Sequence, residues 1–314
     1  VTQLDHKAVL AQVSPADRAR LTARSDVAGL AHLAGHVGVI VVTSALIWSG
    51  VPGWWLLLPV QGVLLVFLFT LEHECTHKTP FASARLNEAV GHLCGVVLVL
   101  PFTWFRYFHL AHHKWTNLPG QDPELDGPPI RTWAQWLRHV SGIPYWVSEI
   151  RLLGRLALGQ ERPAYLPEAA RQKAEREARA LITLYAFAVL SLFWSSAVLW
   201  LWIVPVLLGQ PVLRLYLLAE HGDCPKVANM LVNSRTTFTG PVVRFLAWNM
   251  PYHAEHHAWP TVPFHQLPAL HGRMQAHLGV TAKGYAAFNR AYLDRRGLLR
   301  GGAGAATPPS TPRT

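Results

Sequence analysis

Two apolar runs separated by five residues set the first limit on this fold. Val27 to Trp48 is apolar except for His32, His36 and a few small polar residues, and Trp54 to Leu71 follows directly. Between them, Ser49-Gly50-Val51-Pro52-Gly53 reads as a tight turn. Each run is close to the ~20 residues that a helix needs to cross ~30 Å of hydrocarbon. Lipid offers no partner to a bare peptide group, so crossing segments of this kind are helices. Composition agrees: 51% of the 314 residues are hydrophobic and 15% charged, against roughly 25% charged in soluble domains.

The turn carries no Lys or Arg, whereas the preceding arm carries Lys7, Arg18, Arg20 and Arg24. The positive-inside rule therefore puts the arm in the cytoplasm and returns the second helix there at His73. The arm has no short apolar core with a small-residue cleavage site, so no removable signal peptide is expected. A second hairpin is read further on. Pro167-Glu168 starts a strong helix former that runs into apolar Leu181–Val204, Pro205 and Gly209-Gln210-Pro211 mark an uncharged turn, and Val212–Ala219 begins the return. Between the hairpins, residues 114–178 carry Trp133, Trp136, Tyr145 and Trp146 beside Arg131, Arg138, Arg151 and Arg155, which suits interfacial helices. Residues 271–300 read as a soluble helix.

The expected architecture is an all-α membrane protein of two transmembrane helix hairpins with a cytoplasmic helical cap. Residues 1–26 form the arm and 27–300 a single membrane domain with spans at about 27–48, 54–72, 181–203 and 205–220. Residues 301–314 form a disordered tail. The net charge of +10 lies mainly in segments flanking the apolar runs, which fits a cytoplasmic face and an acidic partner and not nucleic acid. Cys75, Cys94 and Cys224 form no CxxC pair, so neither a disulfide framework nor a thiolate metal site is expected.

Three histidine clusters lie at the cytoplasmic ends of this scaffold: His73-Glu74-Cys75-Thr76-His77, His109-Leu110-Ala111-His112-His113 and His253-Ala254-Glu255-His256-His257. Spacing of three and four residues puts imidazoles on one helix face, and neutral imidazole is the commonest metal ligand. Eight such histidines exceed what one tetrahedral ion uses, so two metal ions are expected. A shared site also requires that the third apolar stretch, residues 89–105, be buried or interfacial. A crossing there would put His109 on the opposite side from His73. His32-Leu33-Ala34-Gly35-His36 has the same spacing but no partner cluster, and reads as structural or interfacial. His92 is also left out, and His6, His139, His265, His271 and His277 show no ligand pattern.

In this order, HxxxH, HxxHH and HxxHH resemble the integral-membrane fatty acid desaturase and hydroxylase superfamily, most of all bacterial acyl-lipid desaturases. Thr116-Asn117 through Asp122-Pro123-Glu124, Asn249-Met250-Pro251-Tyr252 and Trp259-Pro260-Thr261-Val262-Pro263-Phe264 with Leu267-Pro268 extend the likeness over roughly residues 40–275. The resemblance implies a non-haem di-iron centre (two iron ions) that activates O₂ to oxidise an unactivated C–H bond in a lipid chain. Its implied ligands are His73, His77, His109, His112, His113, His253, His256 and His257. The family often adds a histidine on the return helix before the third box, where His221 stands. Asp122, Glu220 and Glu255 are candidates to orient imidazoles by accepting their other N–H.

The resemblance further implies acyl desaturation in a bacterial inner membrane, with both termini and the active site cytoplasmic. Hydroxylation or carotenoid ketolation is the alternative within the superfamily. No flavin, dinucleotide or haem-binding fingerprint is visible, so a separate electron donor such as ferredoxin with its reductase is expected. Two readings from other classes compete. His73-Glu74-Cys75-Thr76-His77 satisfies the HExxH zinc protease signature, but that reading leaves the other clusters unexplained. A metal transporter or store would favour ionisable residues near the bilayer midplane.

Overall fold

The computed structural model describes residues 4–127 and 130–299, so the tail expected at 301–314 lies outside the described residues. Sixteen α-helices are described. Those before the second histidine cluster are α1 His6–Ala11, α2 Pro15–Leu21, α3 Asp26–Trp48, α4 Leu57–Val66, α5 Leu68–His77 and α6 Ala84–Leu98. The middle of the chain forms α7 Phe102–Trp115, α8 Trp133–Val140, α9 Ile143–Ala157, α10 Glu168–Ser191 and α11 Val204–His221. The remainder forms α12 Met230–Asn233, α13 Pro241–Leu246, α14 His253–Ala258, α15 Leu267–Met274 and α16 Tyr285–Arg295. Two short parallel strands, β1 Thr236–Thr237 and β2 Thr281–Ala282, tie the chain before α14 to the chain before α16. The helix expected over 271–300 is therefore interrupted and restarts only at Tyr285.

Among the described residues, three helices are long and apolar enough to cross a membrane: Pro15–Trp48, Trp54–His77 and Leu199–His221. The surface of the first is inverted relative to a soluble protein. On α3, Val37, Val39, Val41 and Val42 are exposed while His36 and Thr43 are buried. Such an outward apolar face suits a helix in lipid. Helix α3 begins where the Ser25 hydroxyl accepts the Ala28 N–H, and it ends before Gly50 and Gly53, both at positive φ. The second apolar run stays helical as far as His77 and stops because Lys78 turns left-handed, at φ 58°.

The second hairpin is drawn differently from the sequence expectation. Helix α10 starts at Glu168 as expected, but it stops at Ser191, and Leu192–Ser196 form the turn. Pro205, Gly209, Gln210 and Pro211 lie within α11 and not in that turn. The glycine serves close packing instead. A Cβ on Gly209 would lie 2.3 Å from the Gly62 carbonyl carbon, and one on Gly62 would lie 2.1 Å from the Pro205 carbonyl oxygen. Backbones of α4 and α11 thus touch through two glycines, the small-residue contact that membrane helices use. Pro205 sits in the first turn of α11, where its missing N–H is tolerated.

Residues 89–105 are split between α6 and α7, which meet at 98° around Val99–Pro101. Val99 takes a left-handed conformation at φ 58°. Helix α6 has 15 residues and rises only about 22 Å, short of the hydrocarbon thickness. Glu177 of α10 fastens the corner. Its carboxylate accepts the N–H groups of Phe102 at 2.9 Å and Thr103 at 3.0 Å, and contacts His92 Nδ1 at 2.7 Å. The main core, with Leu71, Phe81, Phe102, Trp248 and Met250, packs around the ends of α5, α7 and α14.

Candidate metal centre

Four helices deliver histidines to one buried place. Helix α5 brings His73 and His77, α7 brings His109, His112 and His113, the last turn of α11 brings His221, and α14 brings His253, His256 and His257. They sort into two groups. Ligand-capable nitrogens of His73, His77, His109, His113 and His256 lie within 4.8 Å of one another, as do those of His112, His221 and His257. His253 joins the second group, its Nε2 2.8 Å from His221 Nε2. The groups adjoin through His113 and His257, whose rings stack in parallel with centroids 4.0 Å apart.

The donor set fits a pair of cations. Both ring nitrogens of His73, His113 and His256, and Nε2 of His257, are buried without a hydrogen-bond partner. His77 Nε2 faces His109 Nε2 at 2.9 Å, and His112 Nε2 faces His221 Nε2 at 3.2 Å. A neutral imidazole has one N–H and one lone pair, and His221 Nε2 cannot satisfy both His112 and His253. Lone pairs crowded and unsatisfied in a dry interior are costly unless a cation accepts them. Burial, then the neighbouring histidines, hold His253, His256 and His257 well below the usual imidazole pKa, so they stand neutral with a pair to donate. No thiolate or carboxylate enters either group. Imidazole sets of this kind suit iron, zinc, copper or nickel.

Proton positions of three histidines in the second group are fixed from outside. Asp122 Oδ1 lies 2.9 Å from His112 Nδ1, the Asn233 carbonyl 3.1 Å from His221 Nδ1, and Thr116 Oγ1 3.0 Å from His257 Nδ1. The Thr116 hydroxyl donates to the His112 carbonyl at 2.8 Å, so it accepts the His257 N–H. All three histidines then present Nε2 inward. Asp122 is itself held by the N–H groups of Asn117 at 2.6 Å and Glu124 at 2.9 Å. Burial works against its charge, but these bonds and His112 win and keep its carboxyl below the ordinary value.

The other two proposed carboxylates differ. Glu220 Oε1 lies 3.4 Å from His253 Nδ1. Glu255, by contrast, bonds Thr236 and His271 and none of the nine histidines. It braces α14 against β1 and α15. The sequence reading missed Thr116, Asn233 and His271 in these roles. Glu74 is fully buried, with Oε2 accepting from Thr79 at 2.9 Å and from the Phe264 N–H at 3.1 Å. Its Oε1 lies 3.5 Å from His256 Nδ1, near the ring but without a hydrogen bond to it.

The set-aside histidines are tied into structure. His32 Nε2 bonds the Phe245 carbonyl at 2.8 Å, and His36 Nε2 bonds that of Leu64 at 2.9 Å.

Comparison with known proteins accords with this geometry. The family model described as Fatty acid desaturase matches residues 49–289, the stretch that holds all nine histidines. The chain belongs to the fatty acid desaturase family. With its apolar helices, this desaturase-family chain is an integral membrane protein. Among curated relatives, an sn-1 oleoyl-lipid 12-desaturase of Picosynechococcus sp. is 33% identical over 108 residues, covering 31% of each chain. One of the same name from Arthrospira platensis is 34% identical over 101 residues, covering 31% of this chain and 26% of the relative. An sn-1 acyl-lipid omega-3 desaturase (ferredoxin) of Nostoc sp. is 33% identical over 70 residues, covering 22% of this chain and 19% of the relative. The matched stretches thus span a third or less of these relatives' lengths.

Proposed function

We propose that this protein is an O₂-dependent acyl-lipid desaturase with a di-iron centre. The observation that carries the reading is the pair of all-histidine groups abutting through His113 and His257. His73, His77, His109, His113 and His256 would hold one iron, and His112, His221, His253 and His257 the other. Bound there, the two irons would supply the O₂ activation needed to attack an unactivated C–H bond. The reaction removes two hydrogens from neighbouring carbons of an acyl chain. With two electrons and two protons from outside, O₂ leaves as two waters. The chain's own part is positional. Asp122, Asn233 and Thr116 keep the Nδ1 protons of His112, His221 and His257 outward, and the carboxylates of Glu74 and Glu220 lie 3.5 Å from His256 and 3.4 Å from His253. Burial of the centre keeps bulk water from the oxidant.

The proposed topology has four crossings: α3, Trp54–His77, the apolar end of α10 with its turn, and Leu199–His221. Phe187, Val189, Phe193 and Trp194 are exposed on the third of these, which supports a lipid-facing tip. The arm, the histidine centre and the C-terminal helices then lie together in the bacterial cytoplasm. The names of the relatives support an acyl-lipid substrate and a ferredoxin-type electron donor.

The test is expression in a host of known lipid content, followed by mass spectrometry of its fatty acids. Chains with one added double bond are expected from the native sequence and not from His256→Ala. Unchanged lipids from an iron-loaded, reductant-supplied preparation would refute the desaturase reading.

A further inference from the structure

An open cleft of about 780 Å³ is lined by Arg131, Arg235, Lys283, Arg295 and Arg296, with Asp223 as its acidic residue. Asp223 accepts from both Arg295 and Arg296, so their two charges are only partly offset. Arg131 and Lys283 are exposed at the rim. Arg235 forms the floor, 5% exposed and stacked 4.3 Å over the Phe288 ring. A cationic hollow with low-dielectric walls concentrates field and draws in acidic partners.

The floor is wired to the metal centre. Arg235 Nη2 donates to the Gly222 carbonyl at 2.7 Å and Nη1 to that of Ala219, while its backbone N–H bonds Glu220 at 2.9 Å. These three bonds bracket His221 on both sides. Two residues before Arg235, the Asn233 carbonyl lies 3.1 Å from His221 Nδ1. The buried charge at the floor of the cleft and a histidine of the centre are therefore joined by one hydrogen bond and a short stretch of backbone.

We propose that this cleft is where an acidic one-electron carrier, a small iron–sulfur protein, docks and passes electrons in through Arg235, Gly222 and His221. The inference rests on the desaturase reading, since only a reaction consuming external electrons needs such a port. Each cycle takes two electrons in two successive dockings. They reduce the centre, and the carrier is oxidised.

The test uses the full chain in lipid nanodiscs with a reduced two-iron ferredoxin as the probe, and a small uncharged mediator as a second donor. Reversing the rim with Arg131→Glu and Lys283→Glu should raise the apparent KM for ferredoxin by at least about 10-fold and flatten the fall in rate with ionic strength. Mediator-driven turnover should stay at the native level, which also shows that the variant is folded. The matched reversal Arg151→Glu with Arg176→Glu, both exposed on other helices, should leave the KM unchanged. An unchanged KM in the rim variant, an equal rise in the matched pair, or loss of turnover with both donors in the rim variant would overturn the docking site. If the native protein turns over with neither donor, the desaturase reading falls and the inference with it.

Discussion

Asp122 Oδ1 sits 2.9 Å from His112 Nδ1, and the same carboxylate takes the N–H groups of Asn117 and Glu124. One side chain thus folds the loop after α7 and sets the tautomer of a histidine in the second group. Asp122→Ala should lower metal affinity or activity by roughly 10–100-fold, the usual cost of removing a ligand's outer partner. Asp122→Asn keeps an acceptor for the imidazole N–H and should lose less. Metal titration of the purified variants, followed by turnover, measures both.

Glu177 does for the other end of α7 what Asp122 does for its tail. Glu177→Ala leaves the Phe102 and Thr103 N–H groups without their acceptor, at about 1–3 kcal/mol for a buried unsatisfied group. Thermal unfolding in detergent should shift down accordingly. Burial works against the charge of Glu177, but His92 and the Thr103 bonds prevail and its pKa lies below the ordinary 4.5. Its contribution is therefore complete above about pH 4.5 and is lost as pH falls through the lower folded value. The difference in melting temperature between native protein and Glu177→Ala should shrink as pH is lowered into that range.

The contact of Gly62 with Gly209 predicts a packing defect. Gly209→Val puts a branched side chain where even a Cβ would be 2.3 Å from backbone, and overpacking of this kind costs about 1–3 kcal/mol. Because α11 also carries His221, bound metal should fall with the melting temperature. A variant with native melting and metal content would show that the two helices do not meet at these glycines.

These residues also show where sequence reading stops. Within each box, ligand geometry is local: helical spacing alone puts His73 beside His77 and His109 beside His112 and His113, so the clusters were legible. The first hairpin was legible too, because a run of apolar residues and a charge-free turn are one-dimensional signals. Gly209 was not. A glycine that breaks a helix and one that lets two helices touch are written the same way, and only the partner helix tells them apart. Asn233 acts through its backbone carbonyl, which any residue would supply. Thr116 finds His257 across 141 positions. Glu255 looked like a support for the metal site because it lies inside the third box. On the helix it is turned toward His271, which the sequence placed in no role.

We propose that nine histidines form two adjoining sites for iron. Iron per chain, measured by elemental analysis with Mössbauer spectroscopy on anaerobically reconstituted protein, tests it most directly. Two irons per chain are expected in the native protein, with a coupled signature lost when either group is broken by His113→Ala or His221→Ala. A single ion per chain, or a pair unaffected by both substitutions, would contradict it.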